Sequence, residues 1–171
     1  MRVVLAIDTA RNSGWCLTAD GKYVDSGECD AYGDAPREVC RRAVELDAKA
    51  ELLLETAFGG SLATLRGLGA ARGCWLSAWR WATGKKTTAR IRSVMPQTWR
   101  AALFGATAGF ALQEKLTAQV FSRKTDPAPD EAAAICIARW ASVHAAKKTT
   151  AGYRERGSSR SNEGKQHGKD A

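Results

Sequence analysis

The chain has 171 residues, 44% hydrophobic and 26% charged, which suits one domain with a real core. Its 26 basic and 18 acidic side chains leave a formal net charge of +8, favouring a polyanionic partner, with nucleic acid ahead of a membrane surface. Five cysteines, odd in number and never spaced C-x-x-C, offer neither a disulfide framework nor a zinc site, and no apolar run approaches a spanning helix.

In chain order, Val3 to Ile7 is an unbroken apolar run, the pattern of a strand buried on both faces, and it ends on Asp8. A carboxylate there is costly unless it is paired or holds a cation; taken alone, Asp8 reads more plainly as a surface turn cap. Thr9 to Gly14 is small and polar, Trp15 to Leu17 is a second apolar pulse, and Gly21 signals a turn before Tyr23-Val24. An antiparallel meander of three strands is expected. Asp34 and Pro36 open a helix with Val39, Ala43 and Leu46 inward. Leu52 to Leu54 is a further short strand, and it too ends on an acid, Glu55.

After a loop carrying Phe58, a helix is expected over 61–81, striped by Leu62, Leu65, Leu68, Ala71, Trp75 and Trp79. Gly67, Gly69 and Gly73 inside it point to close approach to a sheet or another helix. Trp75 and Trp79 read as core or subunit interface rather than as a base-stacking platform. A basic loop (Lys85, Lys86, Arg90, Arg92) leads into a strand over Ile91 to Val94, and Pro96 stops it. A short helix from Gln97 to Phe104, a break over 105–109 and a helix over 112–123 follow, the last with Leu116 and Val120 inward and Lys115 exposed. Asp126 to Pro129 is a rigid turn, and Asp130 caps a closing helix over 131–145. From Lys147 on, seven basic and three acidic residues without apolar periodicity carry half of the net charge. That segment reads as a disordered basic tail (147–171) behind a domain over 1–146, with nucleic-acid affinity or plain solubility as its use.

These elements describe an α/β domain with a mixed sheet. Asp8, Glu55 and Asp130 could meet at one sheet edge as a hard, oxygen-rich set suited to magnesium or manganese. Such ions can activate water and stabilise the leaving oxygen of a phosphodiester, so a metal-dependent nuclease is the chemistry these residues favour.

The chain resembles the RuvC family of Holliday-junction resolving endonucleases over roughly 2–145. LAIDTARNSGW is similar to the family's first-strand segment, with its catalytic Asp at Asp8. LLLETAF followed by LRGLGAARG is similar to its Glu-x-x-Phe and Gly-Gln-Ala-Arg-Gly motifs, placing the catalytic Glu at Glu55 and the junction-wedging aromatic at Phe58. MPQTWRAALFG puts Arg100 where the family has a lysine, and QEKLTAQV puts Lys115 at a second DNA-contacting lysine. The family closes with two acids three apart; here the first is Asp130 and the second falls on Ala133. Three accounts are open: Asp130 completes the site alone or with Glu131 or Asp126, Ala133 is an inactivating change, or the lineage has kept binding without turnover; the first account is preferred.

The resemblance implies an RNase H-like fold, a mixed five-stranded sheet flanked by helices. It implies a homodimer that nicks four-way or other branched DNA in paired fashion, with Mg2+ held by Asp8, Glu55 and Asp130 and Mn2+ able to substitute. Glu131 joins the catalytic candidates; Phe58, Lys85, Lys86, Arg100 and Lys115 are the DNA-binding ones. The expected setting is the cytoplasm of a bacterium or a phage-infected host. Two other readings stand beside it: a branched-DNA-binding protein without turnover, and an RNase H-like nuclease of broader substrate range.

Overall fold

The computed structural model describes residues 1–56, 60–84, 90–105 and 110–151, with side chains to 144. Phe58, Lys85, Lys86 and residues 152–171 therefore lie outside the described residues.

Five strands form one mixed sheet: β1 (Val3–Asp8), β2 (Asn12–Ala19), β3 (Lys22–Asp30), β4 (Glu51–Glu55) and β5 (Arg90–Val94), in the order β3-β2-β1-β4-β5. The first three form the expected meander, and β4 and β5 add on parallel to β1. The β2–β3 hairpin turns on Asp20 and Gly21, both at positive φ (48° and 75°), the backbone that Asp-Gly adopts in a two-residue turn.

The parity of β1 divides the core. Val3, Leu5 and Ile7 face helices α1 (Ala35–Leu46) and α2 (Leu62–Thr83), packing with Val39, Ala43, Trp75 and Trp79. Val4 and Ala6 face the other way, toward α3 (Pro96–Phe104), α4 (Phe110–Ser122) and α5 (Pro129–Ala151). Asp8 continues this second set. α5 is buried without a break from Glu131 to Ala138, because it lies between the sheet and α4. A helix covered on both sides carries no one-sided apolar stripe.

Several expectations fail in instructive ways. Asp34 does stand at the N-cap of α1 with Pro36 in its first turn, although its side chain makes no capping bond. Leu62 and Leu65 are exposed, and among the described residues a Cβ at Gly67, Gly69 or Gly73 would meet nothing within 4 Å, so no close approach among them explains those glycines. On α4 the expected inward face is turned out: Leu116 is 52% and Val120 76% exposed, while Glu114, Ala118 and Ser122 are buried. Small residues let α4 come close to the Ala-rich α5, and Glu114 is stabilised inside by an ion pair with Arg100 (2.7 Å). All five cysteines are free, three of them buried, as expected. Among the described residues no helix is long and apolar enough to cross a membrane.

Candidate active site

The register fixes where the acids stand. Asp8 pairs with Gly14, Gly14 pairs with Glu28, and Ile7 pairs with Leu54 one residue short of Glu55. Glu55, Asp8, Gly14 and Glu28 therefore form a row across four strands, on the face covered by α3 and α5. This row lies at the carboxyl ends of the parallel strands β1 and β4, a usual position for ligands in open α/β sheets.

Asp8 and Glu55, both half-buried, are near enough for their carboxyl groups to act on one another. Burial first, then the neighbouring Glu55 carboxyl and the charge of Asp130, push the Asp8 carboxyl up to about 9, while Arg100 acts in the opposite direction. The Trp99 indole N–H donates to Glu55 Oε1 at 2.7 Å, and the fully buried Trp99 ring fixes that carboxylate from α3. Arg100 packs over the Trp99 ring (4.7 Å to its centroid) and donates to Glu114, so this proposed phosphate contact is half committed to the interior.

Asp130 arrives from the first turn of α5. It does so because Gly14 has no side chain: a Cβ there would stand 1.8 Å from the Asp130 carbonyl oxygen. Glu28 Oε1 accepts the backbone N–H groups of Asp130 (3.1 Å) and Glu131 (3.3 Å), and Asn12 Nδ2 donates to Glu28 Oε2 (3.0 Å). Burial and then the Glu28 charge hold the Asp130 carboxyl above its ordinary range. Asp130 thus lies inside the first turn instead of capping the helix.

Glu131, expected near the site, faces elsewhere. Its Oε1 accepts from Ser26 Oγ and Lys124 Nζ (both 2.6 Å), and Oε2 accepts the Ala128 N–H (3.3 Å), half of a capping box. Burial would raise its carboxyl, but the bonds from Lys124 and Ser26 and the Lys124 charge bring it below the usual range. Glu131 therefore anchors α5 to β3 and the loop before the helix. Asp126 pairs with Lys115 (2.5 Å), on the exposed side of the same loop. Ala133 is buried in the core shared by the sheet and α5.

Among the described residues no group of three or more His, Cys, Asp and Glu side chains is close enough to hold a metal. The Asp8–Glu55 pair still fits a hard divalent cation: burial and the neighbouring Glu55 disfavour charge on Asp8, a cost that a bound cation would offset, and magnesium is commonly held by one or two carboxylates together with substrate phosphates. Gly14, Glu28 and Trp99 were not singled out from the sequence. Only Gly14 carried a signal, since a glycine within an apolar strand marks close backbone approach.

No family model matches the chain, and no curated protein matches it. Solved structures do. A Thermus thermophilus RuvC structure superposes with a TM-score of 0.66 at 17% identity, covering 86% of this chain and 97% of that one. T. thermophilus RuvC in complex with a Holliday junction substrate superposes with a TM-score of 0.64 at 18% identity, covering 87% and 98%. The two-sided five-stranded sheet of this chain is a RuvC-like, RNase H-like fold.

Proposed function

We propose that this chain is a metal-dependent endonuclease that resolves four-way and related branched DNA by paired nicks. The observation that carries the reading is the half-buried Asp8–Glu55 carboxyl pair at the carboxyl ends of adjacent parallel strands, with Asp130 brought over Gly14. Asp8, Glu55 and Asp130 would hold magnesium, or manganese in its place, which supplies charge neutralisation at the phosphodiester and acidifies an attacking water. The chain's own residues set the geometry. Trp99 orients Glu55, the α5 anchor presents Asp130, and Arg100 adds one positive charge beside the carboxylates. Arg100 and Lys115, with Lys85 and Lys86, are proposed to hold phosphates, and Phe58 to insert at the unstacked junction centre. The basic segment over 147–171 is proposed as an added nucleic-acid contact.

A homodimer is proposed because two symmetric cuts need two sites. The first half of α2, with Leu62 and Leu65 exposed and Gly67, Gly69 and Gly73 open among the described residues, supports that assembly.

The reading is tested on a labelled four-way junction, with and without magnesium, in the parent, Asp8→Asn and Ala133→Asp. Paired symmetric nicks that vanish in Asp8→Asn are expected. Specific binding without cleavage in the parent, with cutting restored by Ala133→Asp, would instead favour a binding protein. The buried Ala133 and the lack of an assembled three-ligand group among the described residues are what favour that second reading. No preference for the junction over linear duplex sinks both. Phe58→Ala is expected to bind junctions but cut them about tenfold more slowly or worse, by loss of base stacking.

A further inference from the structure

The acid that α5 contributes is not held by its own helix. Asp130 sits in the first turn, where backbone N–H groups lack intrahelical partners, and the two that matter, its own and that of Glu131, are taken by a side chain from β3. That side chain, Glu28, stands one strand beyond Gly14 in the row that includes Asp8. Its second oxygen is held by Asn12, so the carboxylate is fixed from both ends. The helix start rests on bare backbone at Gly14, too close to tolerate even a methyl group. Sideways the same turn is tied by Glu131 to Ser26 and Lys124.

We infer that Glu28 is a positioning residue for the active site: by accepting the Asp130 and Glu131 amides across Gly14, it sets where the Asp130 carboxyl stands relative to Asp8 and Glu55. Helix α5 is thereby registered to the sheet by a cross-strand side chain that accepts two of its unsatisfied first-turn amides. What Asp130 then does rests on the nuclease reading above; how it is placed does not. Because the bond uses a carbonyl-type oxygen, glutamine can replace the glutamate in this role once the Asn12 amide turns to present its Oδ1 to the new Nε2, whereas alanine cannot. A role through charge would make the two substitutions equally damaging.

The experiment uses the full chain. Amide hydrogen exchange is followed by NMR without metal for the parent, Glu28→Gln, Glu28→Ala and Asn12→Ala, alongside kcat, KM and junction Kd with magnesium. Glu28→Ala is expected to exchange about tenfold or more faster at Asp130 and Glu131 while Leu5 and Leu53 in the core stay protected. It should lose about 10- to 100-fold in kcat with KM and Kd little changed, the usual size of an effect from groups that orient metal-site carboxylates. Glu28→Gln should keep both properties, and Asn12→Ala should show a smaller acceleration at the same two amides, an arm that stands even if Glu28→Ala does not fold. Unchanged exchange at Asp130 and Glu131 in both alanine variants overturns the proposal. So does Glu28→Gln losing as much kcat as Glu28→Ala. A parent that cuts no branched DNA overturns the nuclease reading, while the exchange arms still decide the role of Glu28.

Discussion

The Asp8 carboxyl bears the main electrostatic cost of the site. Its proton affinity is raised in the folded chain, chiefly by burial and then by Glu55. The sign follows from linkage: a carboxyl that binds its proton more tightly folded than unfolded contributes most below its unfolded value, near 4, and loses that contribution as pH rises toward about 9. Metal-free protein should therefore lose stability between pH 4 and 9, and added magnesium should restore it. Asp8→Asn removes the charge, keeps the shape, and should stabilise the metal-free chain at pH 8 by about 2 kcal/mol, roughly 4–8 °C in Tm. Its Tm should also become less sensitive to magnesium, a difference read by calorimetry with and without the ion. Glu131 has the opposite sign. Its carboxyl lies below the usual range against burial, so its contribution is present above the unfolded value and lost on acidification. Lys124 is partly exposed, and a fully buried-pair figure has to be discounted accordingly. Glu131→Gln should cost about 1–2 kcal/mol at pH 7 and less below pH 4, measured by urea unfolding, with cleavage slowed only a few-fold if its work is to anchor α5.

At the scale of elements, the junction of β2 and α5 is the narrowest place in the fold. Gly14→Ala would put a methyl group inside the Asp130 carbonyl, so the helix start must retreat from the sheet. The expected cost is about 1–3 kcal/mol in stability, together with a loss of cleavage out of proportion to it, because Asp130 moves away from Asp8. Comparing Tm with single-turnover cleavage separates the two effects; activity that falls only in step with stability would deny Asp130 its place. This element also shows what could be read in advance. The strands were legible because each is an apolar run closed by turn chemistry, and Asp8 and Glu55 were legible because they end such runs. Asp130 could be aligned, but Glu28 could not, since nothing local marks a strand glutamate as the acceptor for a helix over 100 residues further on. The apolar periodicity of α4 misled for a related reason. Its inward face was chosen by the close approach of Ala118 to α5 and by the pairing of the buried Glu114 with the half-buried Arg100, both long-range facts. Its regular stripe of Leu112, Leu116 and Val120 points outward.

At the scale of the whole molecule, the site occupies one face of the sheet, and α2 lies on the other with Leu62 and Leu65 of its first half exposed. Trp75 and Trp79 secure the second half of α2 to the sheet, so the exposed half is held out as a rigid extension of the core. If two copies meet there, Gly67, Gly69 and Gly73 let the backbones approach closely while Leu62 and Leu65 supply the apolar area. A charge placed in such a two-fold contact enters twice, so Leu65→Glu should weaken the dimer by about 2–4 kcal/mol, roughly 30- to 700-fold in Kd. Sedimentation velocity should show a dimeric parent and a largely monomeric variant at micromolar concentration. Each monomer keeps Asp8, Glu55 and Asp130, so the variant should still nick one strand of a junction, while the paired cuts within one binding event should disappear. A monomeric parent, or a monomeric variant that still cuts in pairs, would remove α2 from the assembly and leave the site to work one strand at a time.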